Sequence, residues 1–351
     1  MLISMKDNPS AESSRRAQWR PSCSLDMLRL RAIALTAVRD FFRDRGYLEV
    51  ETPLLSHDIV VDAHLEPFSL QISEASEERL YLQTSPEAAM KRLLAAGSGS
   101  IYQITRSFRA GEIGARHNPE FTMIEWYGVG DTFQDQMKFV EELIGAVVDR
   151  CVQISNLCTG AAQLRKPYHS LPYDQCFERA LGMTVQDLPD EELQRLVMDR
   201  TGYEVPADST QQFGFQRDDL LNLLLAECVE PTMGRQQPEF MTHYPISQAA
   251  LAVACDDVPG TACRFELYVN SLELCNGYQE LSDADELQRR DTTQNIIRTQ
   301  NGRSTLPGAS LMLDAMRHGL PPCSGVALGF DRLLMAMTDS HDIREVTAFT
   351  L

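Results

Sequence analysis

The segment RFELYVNSLELCNG at residues 264–277 constrains the fold of this chain more than any other stretch. Two apolar runs with strand-like alternation flank Asn270 and Ser271, which are residue types that favour a tight turn. The pattern predicts an antiparallel hairpin. Strand pairing across that turn places Glu266 and Glu273 diagonally on one face of the sheet.

Two carboxylates on one face repel each other unless a cation lies between them, and Mg2+ prefers oxygen ligands. The sequence therefore predicts a magnesium site at Glu266 and Glu273, and an exposed acidic face is the alternative. Asn276 and Glu280 have the opposite parity to Glu273. We expect them to reach the same face only if the strand bends at Gly277.

The remaining elements alternate between helix and strand without a regular βαβ rhythm. Helical patterns occupy residues 25–46, 85–97, 135–150 and parts of 190–230, and strands are predicted at 47–55, broken by Pro53, at 101–109 and at 325–330. Within SPEAAMKRLLAAG, Ser85 is predicted as the N-cap, Pro86 as the first helical residue and Gly97 as the stop. This order favours an α+β fold, an antiparallel sheet flanked by helices, over a doubly wound one.

We expect a flexible polar tail at residues 1–24 and one large domain at 25–351, with a helical insertion at about 180–240. The longest apolar runs, such as LLNLLLA at 220–226, are far shorter than a membrane span, and the N-terminus has no apolar signal segment, so a cytoplasmic protein is predicted. The nine cysteines form no C-x-x-C pair and no H-E-x-x-H is present. Most cysteines are therefore expected to be reduced and buried.

A net charge of −18, from 32 basic and 50 acidic residues, disfavours a large nucleic-acid interface. Against this background, RSFRAGEIGARHNPEFTMIEWY at residues 106–127 concentrates cationic and aromatic groups. Arg109 offers a planar fork that suits a phosphate, and Phe121 offers a ring face to a purine. The alternative is a surface hairpin whose arginines are solvated.

The segment CSGVALGFDRLLM at residues 323–335 places Gly325 and Gly329 on a strand, where they permit close backbone approach. Asp331 and Arg332 then open a helix, whose N-terminus favours an anion. Glycine that serves only strand packing is the alternative. Arginines, paired carboxylates and glycine-lined space together match the needs of a Mg-ATP site.

Three longer matches support a family resemblance. YLEVETPLL, FRAGEIGARHNPEFTMIEWY and GVALGFDRLLM resemble motifs 1, 2 and 3 of class II aminoacyl-tRNA synthetases, and TSPE, HNPEFTMIEWY and LELCNGYQEL resemble the lysyl branch. The resemblance runs from about residue 25 to the C-terminus. Bacterial lysyl-tRNA synthetases carry a long anticodon-binding barrel before this region, where only some 24 residues stand here. The chain therefore resembles the paralogues that modify elongation factor P.

The resemblance implies a class II catalytic core that uses ATP and Mg2+, activates (R)-β-lysine and transfers it to elongation factor P. It also implies a homodimer built through motif 1, with no anticodon recognition and no tRNA substrate. The implied catalytic residues are Arg109 on the α-phosphate and Arg332 on the γ-phosphate, and the implied metal ligands are Glu266 and Glu273. The implied nucleotide contacts are Arg109, Ala110, Gly111, Glu112, His117, Asn118, Phe121, Glu273, Leu274, Gly329 and Arg332. The implied amino-acid pocket is Ser85, Pro86, Glu87, Tyr127, Asn276, Glu280 and Ala327.

Two positions depart from the family pattern. Motif 2 usually reads Arg-x-Glu, whereas this chain reads Arg109-Ala110-Gly111-Glu112, so either Glu112 or backbone groups contact adenine. Ala327 stands where lysyl-tRNA synthetases have glycine. We expect its methyl group to alter the pocket floor in favour of a β-amino acid.

Three other interpretations are compatible with parts of the pattern. A truncated lysyl-tRNA synthetase would still charge tRNA through the acceptor stem. A synthetase-like binding module would have lost catalysis. Positions such as Arg109 and Arg332 could then hold other residue types. An amide-forming ligase of the asparagine synthetase type shares the fold but has no need of the lysyl-like LELCNGYQEL.

Overall fold

The computed structural model describes residues 19–73, 78–204 and 217–350 of the chain. Most of the predicted tail, residues 1–18, lies outside this part. The last residues of the predicted tail are held by contacts with the C-terminal region. The Ser22 backbone N–H donates to the carbonyl of Ala348 at 2.7 Å. The Ser24 hydroxyl accepts from the backbone N–H of Met27 and caps the first helix.

The helices and strands follow one another along the chain in the irregular order expected of an α+β fold. The α-helices are α1 Leu25–Asp44, α2 Glu87–Ala95, α3 Phe133–Val152, α4 Ala161–Leu164, α5 Tyr173–Leu181, α6 Asp190–Thr201, α7 Arg217–Leu224, α8 Ala284–Gln300, α9 Ser310–Gly319 and α10 Phe330–Thr338. The strands are β1 Leu48–Glu49, β2 Leu55–Ser56, β3 Ser69–Gln71, β4 Arg79–Leu82, β5 Ile101–Phe108, β6 Glu120–Val129, β7 His169–Pro172, β8 Glu239–Pro245, β9 Thr261–Val269, β10 Leu272–Gln279 and β11 Cys323–Gly329. A π-helical turn at Leu225–Val229 and a 3-10 turn at Glu230–Thr232 extend α7.

Eight strands form one sheet in the order β1-β5-β6-β11-β10-β9-β8-β7. Only the two outer pairs, β1 with β5 and β7 with β8, are parallel, and the rest are antiparallel. Strands β2, β4 and β3 form a separate antiparallel sheet. The predicted α+β class, a mainly antiparallel sheet flanked by helices, is confirmed. Helices α6 and α7 lie in the predicted 180–240 segment, of which 205–216 are outside the described residues.

The two faces of the large sheet have different neighbours. Ile124 and Trp126 of β6 belong to the main hydrophobic core, which also includes buried side chains of α1, α3 and α10. Met123, Glu125 and Tyr127 alternate with them and line a cavity. The period of two therefore separates a packed face from a face that is available for ligands.

The predicted hairpin is present, with Asn270 and Ser271 at φ values of 51° and 62° in its turn. The facing of Asn276 depends on a bulge earlier in the strand and not on a bend at Gly277. A β-bulge between Glu273 and Cys275 adds one residue to β10, and Asn276 consequently pairs directly with Glu266. The bulge reverses the parity of β10.

One smaller expectation also needs correction. Helix α2 begins at Glu87 with Pro86 as its N-cap, one residue later than predicted, because the carbonyl of Pro86 accepts the first helical bonds and the Ser85 hydroxyl makes only a 3.4 Å contact with the Glu87 N–H. Seven of the nine cysteines are free, in agreement with the expectation that most are reduced, and Cys255 and Cys263 form a disulfide. Of the described helices, none combines the length and apolarity that crossing a membrane requires.

Candidate active site

A cavity of about 400 Å3 lies on the open face of the sheet, over β6, β9, β10 and β11. The predicted site residues that line it are Ser85, Glu87, Arg109, Glu112, His117, Asn118, Phe121, Tyr127, Glu266, Glu273, Leu274, Asn276, Glu280, Ala327, Gly329 and Arg332. Pro86, Ala110 and Gly111 are not among its described lining residues. Four separate segments predicted from sequence thus meet in one cavity.

One end of the cavity is acidic. Glu87, Glu125 and Glu280 are all at most 8% exposed and all line this end. Glu125 Oε1 accepts a hydrogen bond from the Tyr127 hydroxyl at 2.7 Å, whereas Glu125 Oε2 is buried without a hydrogen-bond partner. We call these three carboxylates the carboxylate floor.

Lys91 lies behind the carboxylate floor and is completely buried. Its Nζ is 2.6 Å from Glu87 Oε1 and 2.5 Å from Glu280 Oε2. Glu87 is one helical turn before Lys91 on α2, so the helix itself brings this pair together. The acidic end therefore contains its own ammonium group.

Burial and mutual repulsion control protonation of the carboxylate floor. Burial, followed by the charge of Glu87, raises the pKa of Glu125 well above its usual range. Burial also raises the pKa of Glu280 to about 7, against the opposing effect of Lys91. For Lys91 itself, burial acts to lower the pKa, but Glu280 and Glu87 outweigh it and raise the pKa. A cationic ligand here would displace protons from the floor.

The other end of the cavity is cationic. The Arg109 guanidinium lies 5.1 Å from the centre of the Phe121 ring, so the two predicted ATP contacts already touch each other. Arg332 Nη2 donates to His117 Nε2 at 2.6 Å, and Arg332 Nη1 donates to the Glu273 carbonyl at 2.9 Å. Burial and the neighbouring Arg332 lower the pKa of His117, so its imidazole is neutral and can accept this bond.

The motif 2 loop accommodates its extra residue through a left-handed glycine. Gly111 has a φ of 83°, a conformation that L side chains rarely adopt. Glu112 consequently lines the cavity, with its Oε1 3.8 Å from Arg109 Nη1. This location agrees with the expectation that Glu112 replaces the usual glutamate, and its contact with adenine stays a prediction.

The predicted metal ligands Glu266 and Glu273 lie on one face, as expected. Burial and the charge of Glu266 raise the pKa of Glu273, opposed by Arg332. Glu266 Oε2 accepts from the hydroxyls of Tyr244 and Tyr268, both at 2.6 Å, while Oε1 accepts only from Arg264 at 2.6 Å. Glu266 Oε1 thus keeps a free lone pair. The repulsion and this lone pair fit a divalent cation between the two carboxylates.

The glycine-containing strand β11 forms the middle of the cavity floor. A Cβ atom on Gly325 would overlap Glu280 Oε1 and the Tyr127 ring, so glycine is required there. A Cβ on Gly329 would meet only the Arg332 side chain at 3.5 Å, an ordinary contact. Ala327 pairs with Asn276 on one side and Glu125 on the other, which places its methyl group beside the carboxylate floor.

Sequence reasoning missed four residues of this site. Glu125 stands two residues before Tyr127 on β6, and the strand period of two could have placed it on the cavity face. Lys91 stands four residues after Glu87 on a predicted helix, which signals an ion pair but not its burial. No sequence signal indicated the hydrogen bonds of Tyr244 and Tyr268 to Glu266, because these depend on the register of three strands.

The segment that matches known proteins includes every residue of the cavity. The family model of tRNA synthetases class II (D, K and N) matches residues 11–351. The elongation factor P–(R)-β-lysine ligase of Pseudoalteromonas translucida (strain TAC 125) is 43% identical over 334 residues, 94% of this chain and 97% of that protein. The proteins of the same name from Salmonella paratyphi A and Yersinia enterocolitica are each 41% identical over 96% of this chain, and over 99% and 98% of their own lengths. The chain and these relatives therefore match along nearly their full lengths.

Proposed function

The chain belongs to the class II tRNA synthetases of the aspartate, lysine and asparagine group, and we propose that it is an ATP-dependent ligase that attaches (R)-β-lysine to elongation factor P. The observation that carries this proposal is the division of one cavity into a cationic end and an acidic end. ATP is a polyanion, and β-lysine carries two ammonium groups. Each end therefore complements one substrate.

The first step joins the two substrates at the boundary between the ends. A carboxylate oxygen of (R)-β-lysine attacks the α-phosphorus of ATP, a new P–O bond forms, and the bond to pyrophosphate breaks. Arg109 neutralises charge that develops on the α-phosphate, and Arg332 holds the γ-phosphate. The protein contributes position and charge, and no side chain needs to be acylated.

The second step transfers the activated acid to a protein. The nitrogen of a lysine side chain of elongation factor P attacks the acyl carbon of the adenylate, the bond to AMP breaks, and one proton is released. The carboxylate floor holds both ammonium groups of β-lysine throughout. The methyl group of Ala327 lies beside that floor, and it favours an ammonium displaced by one carbon relative to α-lysine.

Glu266 and Glu273 are the proposed ligands of Mg2+, which when bound neutralises the phosphates and helps pyrophosphate to leave. A third carboxylate, Glu230, lies within 3.3 Å of the Tyr268 hydroxyl that also donates to Glu266. Burial, then Glu266 and Glu273, raise the pKa of Glu230 to about 7. Glu230 would therefore add less than a full negative charge beside the metal pair at neutral pH.

The proposed dimer uses the small sheet and the strand that precedes it. Leu48, Leu54, Leu55 and Leu70 are each at least 39% exposed in this region. Exposed apolar side chains that lie together mark interaction surfaces. Burial of these leucines against a second copy agrees with the motif 1 interface that the resemblance implies.

We place tRNA outside the substrates, because a net charge of −18 repels a phosphate backbone. The test is transfer of radiolabelled (R)-β-lysine and α-lysine to purified elongation factor P and to total tRNA, with ATP and Mg2+. We expect label on the protein, favoured for β-lysine. Label on tRNA alone would identify a minimal synthetase, and no ATP-dependent transfer to either would identify a binding module.

A further inference from the structure

Lys91 is an unusual component for a pocket that binds ammonium groups, because it is itself an ammonium. It is completely buried and contacts two of the three carboxylates of the floor, Glu87 and Glu280. It does not line the cavity, so it does not touch the substrate. The third carboxylate, Glu125, keeps one buried oxygen without a hydrogen-bond partner.

The charges of this end can be counted from these contacts. When a cationic ligand has displaced their protons, the three carboxylates and one buried ammonium leave two net negative charges on the floor. Another cation in the lining, Arg264, is paired with Glu266 at 2.6 Å. Asp291 of α8 does not line the cavity, and burial followed by Glu87 raises its pKa to about 7, so its charge is partly suppressed. Two positive charges on a ligand would therefore neutralise the acidic end.

We propose that Lys91 is a positioning residue that sets the charge of the carboxylate floor to match two ammonium groups, and so makes the site selective for diamino acids over monoamino acids. This inference rests on the proposed function, because it names the substrate class of the same pocket. A ligand with one ammonium would leave a buried carboxylate uncompensated. A ligand with two ammonium groups would neutralise the floor.

The same contacts orient the floor. The Lys91 Nζ joins Glu87 of α2 to Glu280, which follows β10, and so holds two carboxylates from separate elements that would otherwise repel each other. Lys91 contacts one oxygen of each, so Glu87 Oε2 and Glu280 Oε1 are left for other partners. Loss of Lys91 would therefore raise the negative charge of the floor. It would also allow the Glu87 and Glu280 carboxylates to move apart.

Binding without catalysis tests the charge count directly. In (R)-β-lysine, four carbons separate the two ammonium groups, as in 1,4-diaminobutane, and butylamine is the matched monoamine. We expect calorimetry on the full-length protein to show roughly 100-fold or more tighter binding of the diamine, the cost of one uncompensated buried charge. Equal affinity for the two amines would overturn the inference.

Two variants separate charge from shape. Glu280→Gln alone leaves the floor with one net negative charge, and we expect it to lose most of the diamine preference. Lys91→Met combined with Glu280→Gln returns the floor to two negative charges, and we expect the preference to recover in part. Additive losses in the double variant would overturn the charge role. Lys138→Met, which removes an exposed lysine of α3, is the control and should bind like the unmodified protein.

Folding is checked by thermal unfolding of each variant. If Glu280→Gln does not fold, the double variant still carries the test, because its two neutral residues leave no unpaired ammonium. ATP–pyrophosphate exchange with (R)-β-lysine and with 3-aminohexanoate, which lacks the second amine, then gives the same discrimination as a ratio of kcat/KM. Diamine binding that depends on Lys91 in a protein without β-lysine activation would refute the proposed function and preserve the inference. Activation whose discrimination is unchanged in Glu280→Gln would do the reverse.

Discussion

Replacement of Glu125 by glutamine should make the protein more stable and less active at the same time. Glu125 is 3% exposed, its Oε2 has no hydrogen-bond partner, and Glu87 and Glu280 surround it. In the free protein its charge is therefore unfavourable. In the complex the same charge faces a substrate ammonium.

The stability effect has a defined pH dependence. Burial and Glu87 raise the pKa of Glu125 in the folded protein above its unfolded value. Between these two values the folded protein holds a proton that the unfolded chain has released, so stability falls by up to about 1.4 kcal/mol for each unit of rising pH. The Glu125→Gln variant lacks this loss. Its advantage in the free energy of unfolding should be near zero at acidic pH and grow through neutral pH.

The activity effect has the opposite sign. Removal of one partner from a buried charge pair costs about 3–5 kcal/mol, which corresponds to a loss of roughly 100-fold to 1,000-fold or more in kcat/KM for (R)-β-lysine. ATP–pyrophosphate exchange measures this loss, and urea unfolding at several pH values measures stability. Glu142→Gln on the surface of α3 is the control and should change neither. Parallel pH curves for Glu125→Gln and the unmodified protein, or full activity of the variant, would refute the reasoning.

Three further predictions concern other parts of the cavity and the surface. Ala327→Gly should raise kcat/KM for α-lysine relative to (R)-β-lysine by roughly 10-fold to 100-fold, because one methyl group is worth about 1–3 kcal/mol of discrimination; an unchanged ratio in the exchange assay would contradict it. Arg109→Lys should lower kcat by about 100-fold to 1,000-fold with little change in the KM for lysine, because a point charge replaces a planar fork; an effect on KM alone would argue against the role. Leu55→Asp should shift sedimentation toward the monomer, whereas Met198→Asp, at a similarly exposed position on α6, should not. Sedimentation unchanged by Leu55→Asp would place the interface elsewhere.

Local patterns predicted most of the fold, because its elements depend on periodicity and on capping. The turn at Asn270 and Ser271 is an example, since short polar residues tolerate a positive φ. The bulge between Glu273 and Cys275 was not predictable in this way. One extra residue in a strand leaves its hydrophobic alternation almost unchanged locally, but it moves Asn276 to the other face of the sheet.

The cavity shows the same division between local and distant information. Arg109 and His117 stand in one loop and are visible as a cluster in the sequence. Lys91 looked like an ordinary helical lysine, because its second partner, Glu280, is 189 residues away in the chain. Burial of a charged residue depends on what the rest of the chain packs over it. The charge of the acidic end could therefore be counted only in three dimensions.

The separation of charge along the cavity explains why a protein of net charge −18 keeps a cationic loop. ATP binds through negative phosphates, and a diamino acid binds through positive ammonium groups. The acidic end of the cavity repels ATP, and the cationic end repels the ammonium groups. Under the proposed function, Arg109 and Arg332 of the cavity lining attract the triphosphate, and the carboxylate floor attracts the ammonium groups. The carboxylate of the amino acid is the one anionic group of that substrate, so the same field points it toward Arg109 and the α-phosphate. Opposite charge at the two ends thus orients both substrates for in-line attack, and a uniform acidic cavity would bind the amino acid but exclude ATP.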